Sequence, residues 1–211
     1  SYTKQFSTLS FVLVLLVLIN ISFGSVSIPF HEILDILLGG NSSKSSWDVI
    51  ILHFRLPKAI TAILVGSGLA IAGLLMQTLF RNPLAGPFVL GISSGASLGV
   101  ALLILGSGIF GGVLATIAFS SWGLAIASSI GAALVLLAVL VTATKVRNTM
   151  SILIIGLMFG TVTSAIISVL TFFSDAEKIQ QFIFWGFGNL GNLSWTEILV
   201  FFIIYLIAVL N

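Results

Sequence analysis

The sequence predicts an all-α, polytopic transmembrane helix bundle, and three observations carry that prediction. Apolar residues make up 58% of the 211 residues and charged ones only 7%, whereas a water-soluble domain carries roughly a quarter. The apolar residues gather into long runs at about 6–23, 59–80, 89–105, 113–144, 149–173 and 193–211, with the charges expelled between them. Apart from Glu197 near the start of the last run, no Asp, Glu, Lys, Arg or His lies within these runs. A water-soluble enzyme is excluded on composition alone.

A spanning helix needs about 20 apolar residues to cross about 30 Å of hydrocarbon, and each run is judged against that length. The first, at 6–23, follows Lys4 and ends near the small residues Ser22 and Gly24. That pattern loosely fits a cleaved signal peptide, but the run exceeds the usual apolar core of about 7–15 residues, so a retained helix is expected. The segment 24–55 is read as an amphipathic outer loop. Phe30, Ile33, Leu34, Leu37 and Leu38 recur at helical spacing, with His31, Glu32 and Asp35 on the other face. Pro29 starts this short helix, and Gly39 and Gly40 stop it. Residues 41–46 form a polar turn, and Trp47 is an interfacial anchor. His31 and His53 have no partner at metal-ligand spacing, so they read as solvated loop histidines and no metal site is expected.

The second span, 59–80, follows Pro57, which suits a first helical turn because its missing N–H is not needed there. Asn82-Pro83 breaks that helix and forces a turn. The third span is placed at 89–105. The run 113–144 is too long for one simple crossing, so its helix is placed at 121–142 and the earlier part is given to a hairpin or interfacial loop. The fifth span is 149–173, a short outer helix lies within 175–191, and the sixth span is 193–211. The chain opens at Ser1 and the last run reaches Asn211 without a flank, which reads as an excerpt of something longer.

Lysines and arginines orient the bundle. With the N-terminus inside, the inner segments carry Lys4, Arg81, Lys145 and Arg147 and no acid. All six acids then lie outside, beside Lys44, Arg55, Lys58 and Lys178. The net charge of +2 follows from topology, not from affinity for nucleic acid. With no cysteine in the chain, a disulfide framework, thiolate metal site and thiol nucleophile are excluded.

Small residues recur every fourth position at Gly91, Gly95 and Gly99, at Gly156, Gly160, Ser164 and Ser168, and at Ala62, Gly66 and Ala70. Such stripes let helix backbones approach closely where lipid offers no hydrophobic drive. Hydroxyls on the same faces, Thr161, Thr163 and Ser164, serve equally as the lining of a wet path, and the spacing does not separate the two. Residues 91–95 match the G-x-S-x-G pattern of serine hydrolases. That elbow needs a strand, a sharp turn and a histidine brought to the serine, whereas this one opens an apolar helix. Substitution of Ser93 is the test of that reading. Proton-driven transporters usually carry ionisable residues within their spans. Their scarcity here implies that energy enters through another subunit, or that sodium is coupled through backbone carbonyls, as in a secondary transporter or channel.

The order Arg55-Leu56-Pro57-Lys58, Met76-Gln77, Phe80-Arg81-Asn82-Pro83-Leu84-Ala85 and Leu90-Gly91-Ile92-Ser93-Ser94-Gly95-Ala96-Ser97 resembles the FecCD-type permeases of bacterial ABC importers for ferric siderophores, haem and vitamin B12. Ile152-Leu153-Ile154-Ile155-Gly156 and Gln180-Gln181-Phe182-Ile183-Phe184-Trp185-Gly186, followed by Gly188 and Ser194-Trp195, look like that family's fifth helix and the link to its sixth. The resemblance covers essentially the whole chain. It implies about six spans of a ten-helix permease in the bacterial plasma membrane, with no catalytic site and no cofactor.

The resemblance also implies partners: a second permease copy or paired subunit, cytoplasmic ATPase subunits acting beyond residue 211, and an extracytoplasmic substrate-binding protein. Arg55 and Lys58, three apart at the outer mouth, are expected to share one face. They either meet acidic residues on that binding protein or snorkel as helix-end cations. Lysine in place of the commoner arginine at position 58 keeps the charge but weakens bidentate pairing. Asn82, Leu84, Asn148 and Thr149 are expected at the cytoplasmic gate, or else in ordinary turns. Gln180 and Gln181 are expected to border the path near the outer gate with Thr161 and Ser164, and Trp185 either borders it or anchors the interface.

Overall fold

A computed structural model describes residues 2–40, 42–107, 120–146, 148–191 and 193–210. Arg147, Asn41, Asn211 and the hairpin expected before residue 120 lie outside the described residues. The described chain is helical: α1 Tyr2–Ser22, α2 Phe30–Leu37, α3 Ser45–Ile50, α4 Leu56–Phe80, α5 Ile92–Ile104, α6 Ser121–Ala143, α7 Thr149–Phe172, α8 Ala176–Gly186 and α9 Trp195–Leu210. A π-helical turn, Ile51–Arg55, joins α3 to α4, and a 3-10 turn, Pro87–Leu90, precedes α5. Among the described residues α1, α6, α7 and the continuous helical stretch ending in α4 are long and apolar enough to cross a membrane. The helices form two compact units, residues 1–68 with 189–211, and residues 69–188.

In the first unit the core is Ile21, Ile28, Ile33, Ile36, Ile51 and Ala59, with Trp47 packed against it. Trp47 therefore serves the protein interior as well as any interface. Helix α2 starts at Pro29 and is followed by Gly39, whose left-handed φ of 84° no β-branched residue would accept. The buried face of α2 differs from the periodicity expected. Ile33 and Ile36 are buried, while Phe30, Leu34 and Leu38 are exposed. Glu32 joins the buried face because its carboxylate accepts from the backbone N–H of Ser43 at 3.0 Å and from the Ser43 hydroxyl. Those bonds replace water and remove most of the cost of burying the acid.

In the second unit α5 is the central helix. Val100, Ala101, Ile104 and Leu105 are buried against Leu124 of α6, Ile167 and Leu170 of α7, and Ile179, Phe182 and Trp185 of α8. Trp185 also stacks on Phe182, with ring centroids 6.3 Å apart, so it acts as a core residue of this unit. A second cluster joins Phe80, Ala85 and Leu90 to Val135 and Val139 of α6 and Ile152, Leu153 and Ile155 of α7. The third apolar run does not form one helix from residue 89. Gly91 takes a left-handed φ of 74° and caps α5, which begins at Ile92. Thirteen residues rise about 20 Å, short of a hydrocarbon core of about 30 Å.

Glycine decides how closely α5 meets its neighbours. A Cβ at Gly95 would stand 2.6 Å from the Gly131 carbonyl oxygen, and one at Gly131 would meet the Gly95 oxygen and stand 2.9 Å from the Gly99 Cα. A Cβ at Gly99 would meet the Ala127 carbonyl, and one at Gly156 would collide with Val89 O and stand 2.8 Å from the Leu90 Cα. These neighbours are backbone and cannot rotate away. Gly66 is different, since a Cβ there meets nothing within 4 Å. It lines an open groove of about 360 Å³ with Leu13, Ala59 and Ala62, with no close neighbour among the described residues.

Substituting Gly131→Val is therefore expected to destabilise the second unit by at least the ~1–3 kcal/mol typical of overpacking. Gly66→Ala is expected to leave stability unchanged or raise it by up to ~1 kcal/mol through helix propensity. Thermal unfolding in detergent checks the pair, and a Gly131→Val variant as stable as the parent would refute the contact.

Candidate functional site

The second unit carries an open groove of about 350 Å³, largely apolar with three hydroxyls, between the start of α5 and the middle of α7. Phe88 and Leu157 supply its apolar walls, Gly91, Gly156 and Gly160 its close backbone, and Ser94, Thr161 and Ser164 its hydroxyls. Two of the three hydroxyl protons have local partners. Thr161 donates to the Met158 carbonyl at 2.7 Å and Ser164 to the Gly160 carbonyl at 2.9 Å. The oxygen lone pairs of these two are left for the groove, and its lining is neutral. Gly160 contributes here too, since a Cβ on it would stand 3.3 Å from the Ser94 Oγ. Thr163, on another face of α7, is buried and bonded to Gly160 O at 2.8 Å.

Of the other residues singled out in this unit, Asn82 lies in the turn after α4. Its Oδ1 accepts from the Leu84 N–H at 2.9 Å, and Leu84 itself is 86% exposed. Asn148 caps α7, with Oδ1 accepting from the Met150 N–H at 3.0 Å, and Thr149 opens that helix. Phe80 and Ala85 on one side and Ile152 and Ile155 on the other share a cluster, so the two turns flank one end of the unit. Gln180 is exposed and Gln181 half-buried on α8. Lys178 pairs with Asp175 at 3.2 Å across one turn of the same helix. Ser93 is exposed on the first turn of α5, and residues 69–188 contain no histidine. Within this unit Ser93 therefore has no histidine beside it.

In the first unit the expected basic pair does not share a face. Lys58 is exposed, but Arg55 is buried at 8% exposure. The Arg55 guanidinium donates to Ile21 O at 2.8 Å, to Ser22 O at 3.0 Å and to Val26 O. The reason is tertiary, because the carbonyls at the end of α1 engage the Arg55 guanidinium and draw it inward. The Trp195 indole N–H donates to Leu52 O at 3.0 Å, a contact that sequence reasoning missed. Nearby, the two bonds from Ser43 hold the Glu32 carboxyl below the usual glutamate range, with His31 adding a smaller pull in the same direction. Among the described residues there is no cluster of acids and histidines able to hold a metal.

The FecCD transport family model matches residues 12–211. The chain belongs to the FecCD transport family. A Helicobacter pylori protein described as a "Probable iron chelatin transport system permease protein" is 36% identical over 197 residues, covering 90% of this chain and 56% of the relative. The hemin transport system permease protein HmuU of Yersinia pestis is 34% identical, covering 91% and 56%. The molybdate import system permease protein MolB of Haemophilus influenzae is 31% identical, covering 99% and 60%. A solved metal-chelate type ABC transporter in an inward-facing conformation superposes with a TM-score of 0.78 at 29% identity, over 98% of this chain and 60% of the other. The chain thus spans little more than half the length of its FecCD relatives. Family membership and the long apolar helices together make it an integral membrane protein.

Because the Glu32 pKa is depressed, the clasp on Ser43 stabilises the fold above the ordinary glutamate range and is lost as pH falls through the lowered value. Protection of the Ser43 amide against hydrogen exchange, taken relative to the intrinsic rate at each pH, is expected to be high at pH 7 and to fall below that range. Glu32→Ala, which removes the acceptor, is expected to lack that protection at both, and a protected Ser43 amide in Glu32→Ala would contradict the clasp.

Proposed function

We propose that these 211 residues are the N-terminal part of one transmembrane permease domain, a subunit of an ATP-driven importer. The proposal rests chiefly on membership of the FecCD family together with a neutral, hydroxyl-lined groove on α7. Thr161 and Ser164 line the path, with Gln180 and Gln181 towards its outer side. The turns at Asn82–Leu84 and Asn148–Thr149 form the cytoplasmic gate, the N-terminus faces the cytoplasm, and the membrane is the bacterial plasma membrane. The basic residues Lys4, Arg81 and Lys145 lie on the inner side in that orientation, in line with the charge rule for membrane proteins.

The permease works with a second copy or paired subunit, ATPase subunits on the cytoplasmic side and a binding protein outside. Hydrolysis of ATP belongs to the ATPase subunits, in keeping with a second unit that places no histidine beside its serines. The cargo is an iron–siderophore, haem or corrinoid. A groove with no charged residue in its lining supports a bulky chelate with its charge masked over a bare oxyanion such as the one named for the Haemophilus relative. Alternating access then opens the groove to each side in turn.

The longer permease, reconstituted in liposomes with its ATPase and binding protein, is expected to take up ferric siderophore, haem or corrinoid only when ATP is supplied. Uptake that follows an imposed sodium or proton gradient without ATP would make it a secondary transporter. Within the importer, Thr161→Val and Ser164→Ala are each expected to slow uptake about 2–10-fold, the range for losing one ordinary hydrogen bond. Uptake rates at unchanged protein levels measure this.

A further inference from the structure

Helix α2 presents three faces, where a helix shared only between protein and water needs two. At about 100° per residue, Glu32, Ile33, Ile36 and Leu37 fall on one arc, and all four are buried or half-buried in the first unit. Phe30, Leu34 and the capping Leu38 fall on the next arc and are 50%, 39% and 84% exposed. His31 and Asp35 fall on the third, and both are exposed. The apolar arc therefore lies between a face held by protein and a face that needs water.

The contacts of the buried arc fix where α2 lies. Ile33 and Ile36 share a cluster with Ile21 and Val17, which belong to the last two turns of the 21-residue α1. A helix of that length rises about 31 Å, the thickness of the hydrocarbon core. When α1 spans, its last turns stand at the membrane boundary, and α2 is held beside them instead of beyond them in water. Exposed apolar side chains also run on from one helix to the other, through Ile19, Phe23, Val26 and Phe30. Trp47 packs on the same cluster and carries the Lys44 Nζ 4.9 Å from its ring centroid. Tryptophan favours the boundary, and a lysine stem reaches across it to place its charge in water.

We propose that Phe30, Leu34 and Leu38 seat α2 among the acyl chains at the boundary of the leaflet next to the end of α1, with His31 and Asp35 turned to the headgroups and water. The order of the three arcs matches what that boundary offers: protein on one side, hydrocarbon beneath and water above. The clasp between Glu32 and Ser43 passes the anchoring on to the turn before α3. The proposal rests on the chain being an integral membrane protein, and neither on what the chain transports nor on the side its N-terminus occupies.

The test uses the full-length permease in vesicles of phosphatidylethanolamine and phosphatidylglycerol, with no other protein present. Residues 1–211 contain no cysteine, and any cysteine beyond them is first replaced by serine. The single variants Phe30→Cys, His31→Cys, Leu34→Cys, Asp35→Cys and Leu38→Cys each carry a nitroxide. All five side chains are exposed, so the label displaces no packed group. Power saturation compares collisions with oxygen, which concentrates in lipid, with collisions with a neutral nickel chelate, which stays in water. The nitroxides at positions 30, 34 and 38 are expected about 5–10 Å below the headgroup boundary, and those at 31 and 35 in water. Ready access of the nickel chelate to all five would leave the stripe in water, open to a soluble partner, and would overturn the proposal. Poor access of both reagents to positions 30, 34 and 38 would mean that protein covers them, either a second copy or the rest of the permease, and would overturn it equally.

Discussion

Backbone-to-backbone contact around α5 is the constraint on which the second unit depends. Water drives apolar helices together in soluble proteins, but lipid is as apolar as leucine and supplies no such drive. Association then depends on dispersion, which falls steeply with distance. Gly95, Gly99 and Gly131 remove every side-chain atom that would hold α5 and α6 apart, and Gly156 does the same between α7 and the turn before α5. The groove follows from this arrangement. Where the glycine contacts end, Ser94 and Gly160 set the wider separation that leaves Thr161 and Ser164 open.

The first unit is governed by a related rule. A backbone carbonyl buried without a partner costs about as much as a lost hydrogen bond, and more where no water can reach it. Proline at position 57 and the end of α1 each leave carbonyls without a partner in their own helix. The chain resolves both with side chains brought from far along the sequence, Trp195 and Arg55. Arg55, a docking charge by its place in the sequence, bonds the carbonyls at the end of α1 in this fold. Glu32 is a parallel case, an acid on an apparently solvated face that is held inside by Ser43.

Much of this was legible beforehand. Run lengths and charge placement predicted the membrane class, and the helices α1, α4, α6 and α7 lie within a few residues of the spans expected from hydropathy alone. The glycine stripe at 91, 95 and 99 was visible as spacing, and so were Thr161 and Ser164 as polar groups on an apolar helix. Gly131 was not, because its value lies in the carbonyl of another helix placed opposite it. Gly66 shows the same limit: a small residue in a repeat announces a close approach but does not say how near the facing helix comes, and here α1 faces it across an open groove.

Composition and periodicity determined what each segment is, since the solvent each residue prefers is a property of the residue and its near neighbours. The apolar runs had to be helices in lipid, Pro29 and Gly39 had to bound a short helix, and Asn82-Pro83 had to turn. Tertiary structure alone decided which groups satisfy one another. Arg55 at the end of α1, Trp195 on Leu52 and Glu32 on Ser43 all depend on distances between residues separated in sequence. No local pattern encodes those distances, because they follow from how the helices pack and not from what any one helix prefers.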